Sequence, residues 1–155
     1  MAEEEWRGLE LEGVIVGDDG SEESAAALLW AADEAALRRR PLHVVRAWTM
    51  TRAARPKDWN PGYVPSMEEF GQACQEALEE SLAAIREHRP EVEVHAHAVH
   101  GNATSVLVGI SENADLLVVG HRGRAGLRER MLGSTAGDVV SRAGCSVLIV
   151  RPYRT

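Results

Sequence analysis

The chain has 155 residues, 45% of them hydrophobic and 26% charged, the composition of one globular domain large enough to hold its own core. Its 24 acids outnumber its 17 Lys and Arg, for a net charge of −7, which argues against a general nucleic-acid-binding role. No apolar run approaches the length of a membrane span. The N-terminus MAEEEWRG lacks the basic region and apolar core of a signal peptide, and Cys74 and Cys145 lie far apart in apolar patterns. A soluble cytoplasmic protein with buried free thiols is the expectation.

Residues 1–12 read as an acidic, solvated lead-in, with residues 13–152 forming a single domain; the sequence leaves open whether Trp6 folds back onto the body. Val14-Ile15-Val16 is a short, wholly apolar strand that ends in Gly17-Asp18-Asp19-Gly20-Ser21. Ser21 suits an N-cap, and Glu22 and Glu23 suit the positive end of the helix dipole. Ala25, Leu28, Leu29, Ala32 and Ala36 then mark one helical face. Arg38-Arg39-Arg40 and Pro41 close the helix; the triplet reads as charge complementing a helix end rather than as a basic patch.

Leu42–Trp48 (LHVVRAW) reads as the second strand. Residues 49–65, with Pro56, Pro61, Gly62 and Pro65, form a long loop whose Trp59 and Tyr63 are expected to anchor it. Ser66-Met67-Glu68-Glu69 is a capping box, and helical spacing from Met67 to about His88 predicts one continuous helix ended by Pro90. Glu91–Val99 (EVEVHAHAV) alternates strictly, which predicts a strand with one wet face, hence at a sheet edge. His95 and His97 point the same way, but no acid or cysteine of suitable spacing completes a metal set. Gly101-Asn102 starts a short helix, about 103–112, and Cys145–Val150 is a fully apolar last strand.

The most informative stretch is ADLLVVGHRGRAGLRERMLGST, residues 114–135. A buried strand, Leu116–Val119, runs into a loop with Gly120, Gly123 and Gly133, then Ser134-Thr135 at the head of a helix. A helix N-terminus offers free N–H groups and a positive dipole end, and glycines let a ligand approach the backbone. Together these make a phosphate cradle, to which Ser134 and Thr135 add hydroxyls and Arg122, Arg124 and Arg128 add positive charge. Two common phosphate loops are excluded. The only lysine, Lys57, is far from any Gly-Lys-Ser/Thr end, and Gly13, Gly17 and Gly20 do not fit G-x-G-x-x-G.

Strand and helix alternate five times, which predicts an α/β fold with a parallel sheet and right-handed crossovers. Ligands in such folds bind beyond the carboxyl ends of the strands. If the first and fourth strands are neighbours, Asp19 and the cradle share one crevice, and the carboxylate meets a ribose hydroxyl or an adenine amino group while the loop takes phosphates.

Gly120-x2-Gly123-x9-Gly133-Ser134 resembles the ATP-binding signature of the universal stress protein family. Val16–Ser21, Leu42-His43-Val44-Val45, Val99–Ala103 and Cys145–Val150 resemble that family's first strand and turn, second strand, turn before the third helix, and final strand. The resemblance implies a single-domain, open, Rossmann-like sheet of five parallel strands in the order 3-2-1-4-5 with helices on both faces. It implies ATP with Mg2+ on its phosphates, and a homodimer joined through the last strand, Val147–Val150. Carried over by position, Asp19 is the adenosine-side carboxylate and Val44 lines the adenine pocket. The backbone at Gly120, Gly123, Gly133, Ser134 and Thr135 holds the triphosphate, with Arg122 a further phosphate contact. Ser146 replaces a common proline, and loop 49–65 inherits nothing from the family.

The function expected is that of an ATP-binding stress-response protein acting through nucleotide-dependent conformation and interactions. Three rivals stand beside it: a slow ATPase or adenylyl-transfer enzyme, with Asp18 and His121 the only nearby residues able to activate water; a nucleotide-free dimerisation module; and a binder of cyclic AMP.

Overall fold

Five short apolar runs become the strands β1 (Val14–Gly17), β2 (Leu42–Trp48), β3 (Val94–His100), β4 (Leu116–Gly120) and β5 (Val147–Val150). The structure, a computed structural model, describes residues 6–51, 53–57, 59–122 and 132–152. Every strand pairing is parallel, in the order β3-β2-β1-β4-β5, as the family resemblance implies. β3 and β5 are the edges, in keeping with the alternation of β3. The helices are α1 (Glu22–Arg38), α2 (Met67–Ser81), α3 (Ala83–His88), α4 (Ala103–Ile110) and α5 (Ser134–Arg142).

Strand alternation sends successive side chains to opposite faces, and two cores result. Val14, Val16, Leu42, Val44, Leu116 and Val118 pack with α1, α2 and α3 on one face; Ile15, Val45, Leu117 and Val119 pack with α4 and α5 on the other. Burial on both faces explains why β1 and β4 read as unbroken apolar runs.

The helix starts follow their local signals. The Ser21 hydroxyl accepts from the Ser24 N–H at 3.2 Å. At α2 the full capping box forms, with Ser66 Oγ accepting from Glu69 N–H at 3.2 Å and Glu69 Oε2 accepting from Ser66 N–H at 2.6 Å. Asn102 caps α4 by accepting from Ser105 N–H at 3.2 Å.

Three expected element bounds are corrected, as are the buried face of α1, where Ala27, Ala31 and Ala35 replace Ala25 and Leu29, and Cys145, which is only half-buried. The continuous helix to His88 is broken at Leu82, where Ser81 Oγ donates back to Leu78 C=O at 2.7 Å and the Leu82 N–H turns to Glu79 C=O at 3.2 Å. Such back-bonding competes with the helical ladder, and it lets Leu82 enter the core fully buried. β3 starts at Val94 rather than Glu91, because Val92 N–H is drawn into a turn with Arg89 C=O at 3.1 Å. β5 starts at Val147, not Cys145.

From Trp6 onward the lead-in keeps Arg7, Gly8, Glu10 and Glu12 exposed but folds its apolar residues onto the body. Leu11 is buried, and Trp6 and Leu9 pack against the α4/α5 core. Trp6 lies so close to α4 that a Cβ on Gly109 would fall 1.9 Å from the indole ring. Loop aromatics do anchor their loop: Trp59 Nε1–H donates to Tyr63 C=O at 2.8 Å, and Tyr63 Oη–H donates to the Glu69 carboxylate at 3.0 Å.

Candidate functional site

Strand register decides which residues reach the carboxyl ends of the sheet. β1 stops at Gly17, level with Val45 of β2, while β2 continues to Trp48. A cavity of about 460 Å3 opens above this step, with walls from the tips of β1, β2 and β4, the N-terminus of α5, and Cys74 of α2. Asp19, Gly120, Arg122, Gly133, Ser134 and Thr135, separated in sequence by up to 116 positions (135 − 19), all line it.

Val44 does not. It pairs with Val16, one step below the end of β1, and is fully buried in the α1/α2 core. Further along the same face, Arg46 and Trp48 line the cavity, with Val45 and Ala47 lining it from the opposite face. Gly123, Arg124 and Arg128 lie outside the described residues.

The turn after β1 is built by two adjacent carboxylates. Asp19 Oδ1 accepts from Ser21 N–H at 2.9 Å, and Asp18 Oδ1 accepts from Gly20 N–H at 3.0 Å. Gly20 has φ +79, a value that L side chains rarely adopt. Asp18 is the more deeply fixed of the two, its side chain only 3% exposed. Its Oδ1 also accepts from Ser24 Oγ at 2.8 Å, and its Oδ2 accepts from Arg46 Nη2 at 2.5 Å and Nε at 3.2 Å. A carboxylate so engaged is a structural anion, a role that its place beside the glycine loop in the sequence does not reveal. Local patterns carry no sign of the pair, since its partners belong to different strands.

At the opposite wall, α5 begins at Gly133 with no side-chain cap, unlike α1, α2 and α4. The Gly133 N–H donates to His121 C=O at 2.8 Å, tying the helix start to the end of β4, and the His121 N–H donates to Val150 C=O at 2.8 Å. Beyond Gly133, the first-turn amides of α5 point along the helix axis toward its start, where the dipole favours an anion. Arg122 Nη2 donates to Glu23 Oε1 at 3.1 Å, so its guanidinium is held at the cavity rim by the first turn of α1. His121 is buried, and burial, reinforced by the charges of Arg151 and Arg122, pushes its imidazole below the usual histidine range.

Gly120 has a packing role as well as its place in the wall. A Cβ there would lie 3.1 Å from the backbone carbonyl carbon of Glu23, tighter than an ordinary contact. The missing side chain lets α1 seat against β4, which carries its first turn and Glu23 to the cavity edge.

Among the described residues no group of three or more His, Cys, Asp or Glu is arranged to hold a metal ion, and no helix is long and apolar enough to cross a membrane.

A universal stress protein of Mycobacterium tuberculosis is 36% identical over 141 residues, a match covering 89% of this chain and 47% of the relative. The chain thus spans about half the length of that relative. A solved universal stress protein in complex with cAMP is 27% identical and superposes with a TM-score of 0.67, over 94% of this chain and 100% of that one. The universal stress protein from Archaeoglobus fulgidus in complex with dAMP, at 23% identity, shares the fold with a TM-score of 0.61 over 91% of this chain and 98% of that one. The profile of the universal stress protein family matches residues 11–151, nearly the whole chain. By sheet order, by the glycine-punctuated strand-to-helix loop and by this match, the chain belongs to the universal stress protein family.

Proposed function

We propose that the strand-tip cavity binds an adenine nucleotide, ATP in the first instance, and that the protein acts in stress response through nucleotide-dependent conformation and interactions. The observation that carries this reading is the N-terminus of α5, which has no side-chain cap and opens onto the same cavity as Asp19. An uncapped helix start is an anion site. The carboxylate across from it can accept a ribose hydroxyl or an exocyclic amine. Phosphates then lie at Gly120, Gly133, Ser134 and Thr135, with Arg122 and Gly123 as further contacts, and the base lies toward Arg46 and Trp48.

Mg2+ travels with the phosphates in this reading. It keeps most of its own waters and needs few protein ligands, which suits a wall rich in amides and hydroxyls. A second copy joins at β5, the outer strand whose Val147, Leu148 and Ile149 remain half-buried; an open strand edge is a ready template for pairing.

Cyclic AMP is the second reading, favoured by the cAMP-bound relative at 27% identity. Calorimetric titration with ATP, AMP and cyclic AMP separates the two. ATP affinity abolished by Gly133→Val, with circular dichroism unchanged, is the expected result. Undiminished ATP binding by that variant overturns the assignment.

A further inference from the structure

Beside the strand-tip cavity lies a second cleft of about 490 Å3, between the N-terminal turn of α4 and the adjoining face of α5. The two share a wall, because Ala47, Ala103, Ser134 and Thr135 line both. A molecule that fills the first and crosses Ser134 and Thr135 emerges in the second. A cavity of the first one's size already accommodates a drug-sized ligand, so a mononucleotide leaves the second cleft over.

The lining of that cleft is chemically selective. Its apolar residues are only Ala47, Gly101 and Ala103, so it has no surface on which a base could stack or an acyl chain could bury. Hydroxyl and amide groups come from Asn102, Thr104 and Ser105 on the α4 side. From the other side come Asp138 and Arg142, both exposed and one helical turn apart on α5. One carboxylate beside one guanidinium gives no surplus positive charge for another phosphate. A carboxylate accepts from neighbouring hydroxyls, a guanidinium donates to them, and hydroxyl and amide side chains do both. This is the complement of a polyhydroxyl group.

We propose that the two cavities form one continuous site whose ligand class is an adenine nucleotide carrying a sugar on its outer phosphate, a nucleoside diphosphate sugar. The nucleotide occupies the strand-tip cavity and the sugar lies over Asp138 and Arg142. This rests on the reading of the strand-tip cavity as the nucleotide site, and it adds the part of the ligand beyond the phosphates.

The test is calorimetric titration of the wild-type chain, Asp138→Ala and Arg142→Ala with AMP, ADP, ADP-ribose and diadenosine diphosphate. Both substitutions are at exposed positions outside the strand-tip cavity, so the fold should persist. The expected result is ADP-ribose binding at least tenfold tighter than ADP, with either substitution erasing that gain and leaving AMP and ADP unchanged. Equal affinity for ADP and ADP-ribose overturns the proposal. So does an Arg142→Ala variant that weakens ADP as much as ADP-ribose, because the cleft then serves phosphates, and so does a diadenosine diphosphate gain well beyond that of ADP-ribose, because the two share the outer ribose and only the added base can account for the difference. Binding of AMP and ADP without the sugar-dependent gain overturns this inference alone; no binding of any of the four overturns the nucleotide reading with it.

Discussion

Arg46 and Asp18, 28 positions apart, meet across the adjoining tips of β2 and β1, with Nη2 2.5 Å from Oδ2. Asp18 is almost wholly buried and Arg46 is 22% exposed in its side chain, so the pair forms part of the floor of the cavity. Ser24 Oγ and Gly20 N–H complete the carboxylate's shell. The pair therefore orients the β1–α1 turn, and with it Asp19, as well as one cavity-lining cation.

Removing one partner of such a pair leaves a buried charge without compensation, whereas removing both does not. Arg46→Met should cost about 3 kcal/mol, and the double variant Arg46→Met/Asp18→Asn should recover most of it. Urea denaturation of the four-member cycle measures the coupling. Additive losses would show that the two residues act independently.

Gly120→Ala should lower stability by about 1 kcal/mol in the absence of any nucleotide, since its Cβ presses on the backbone of Glu23 3.1 Å away. A ligand-only role for this glycine predicts unchanged apo stability and a loss confined to nucleotide affinity. Thermal unfolding of the apo variant distinguishes the two.

Gly109→Ala should expel Trp6 from α4, because the added Cβ would stand 1.9 Å from the ring. Overpacking of this kind costs about 1–3 kcal/mol. Adding Trp6→Ala to the variant should restore part of the loss, since alanine favours the helix once the indole is gone. Faster proteolysis ahead of β1 in Gly109→Ala, measured by mass spectrometry, is the accompanying sign; an unchanged cleavage rate would contradict the packing.

Acid should weaken the β2–β3 edge. His43 Nδ1 lies 2.9 Å from His97 Nε2, and its ring stacks on His95 at 5.0 Å. Burial, then the neighbouring imidazoles, lowers His43 to about 4, and His97 is lowered for the same reasons; Glu93, bonded to His95, and the Glu12 backbone oppose the shift at His43. A histidine held neutral in the fold but protonated when unfolded gives full stability above its unfolded value of 6.5, lost as pH falls from there to about 4. Allowing for solvent screening of a half-exposed ring, the loss is on the order of 1–2 kcal/mol. His43→Gln should flatten this slope in denaturation curves taken across that range, and a slope identical to wild type would locate the titration elsewhere.

Much of the architecture is legible in the linear chain because its signals are local. Ser21, Ser66 and Asn102 each cap the helix that follows within three residues, and the apolar runs at 14–16 and 116–119 read as strands covered on both sides. The strict alternation before His100 likewise marks an edge. The start of α5, with Gly133 followed by Ser134 and Thr135, is legible for the same reason.

Contacts between distant segments are another matter. Val44 and Arg46 share a face of β2, and only the register against the shorter β1 decides that Val44 enters the core and Arg46 reaches the cavity. Gly120 reads as a ligand-facing glycine until α1 is seen pressed against it. By itself the sequence determined the alternating elements and the helix caps, because hydrogen bonds and periodicity within a few residues suffice for those. Only the tertiary structure decided which strand-tip side chains face one another, because strand register and helix packing depend on how segments far apart in the chain are brought to the same height in the sheet.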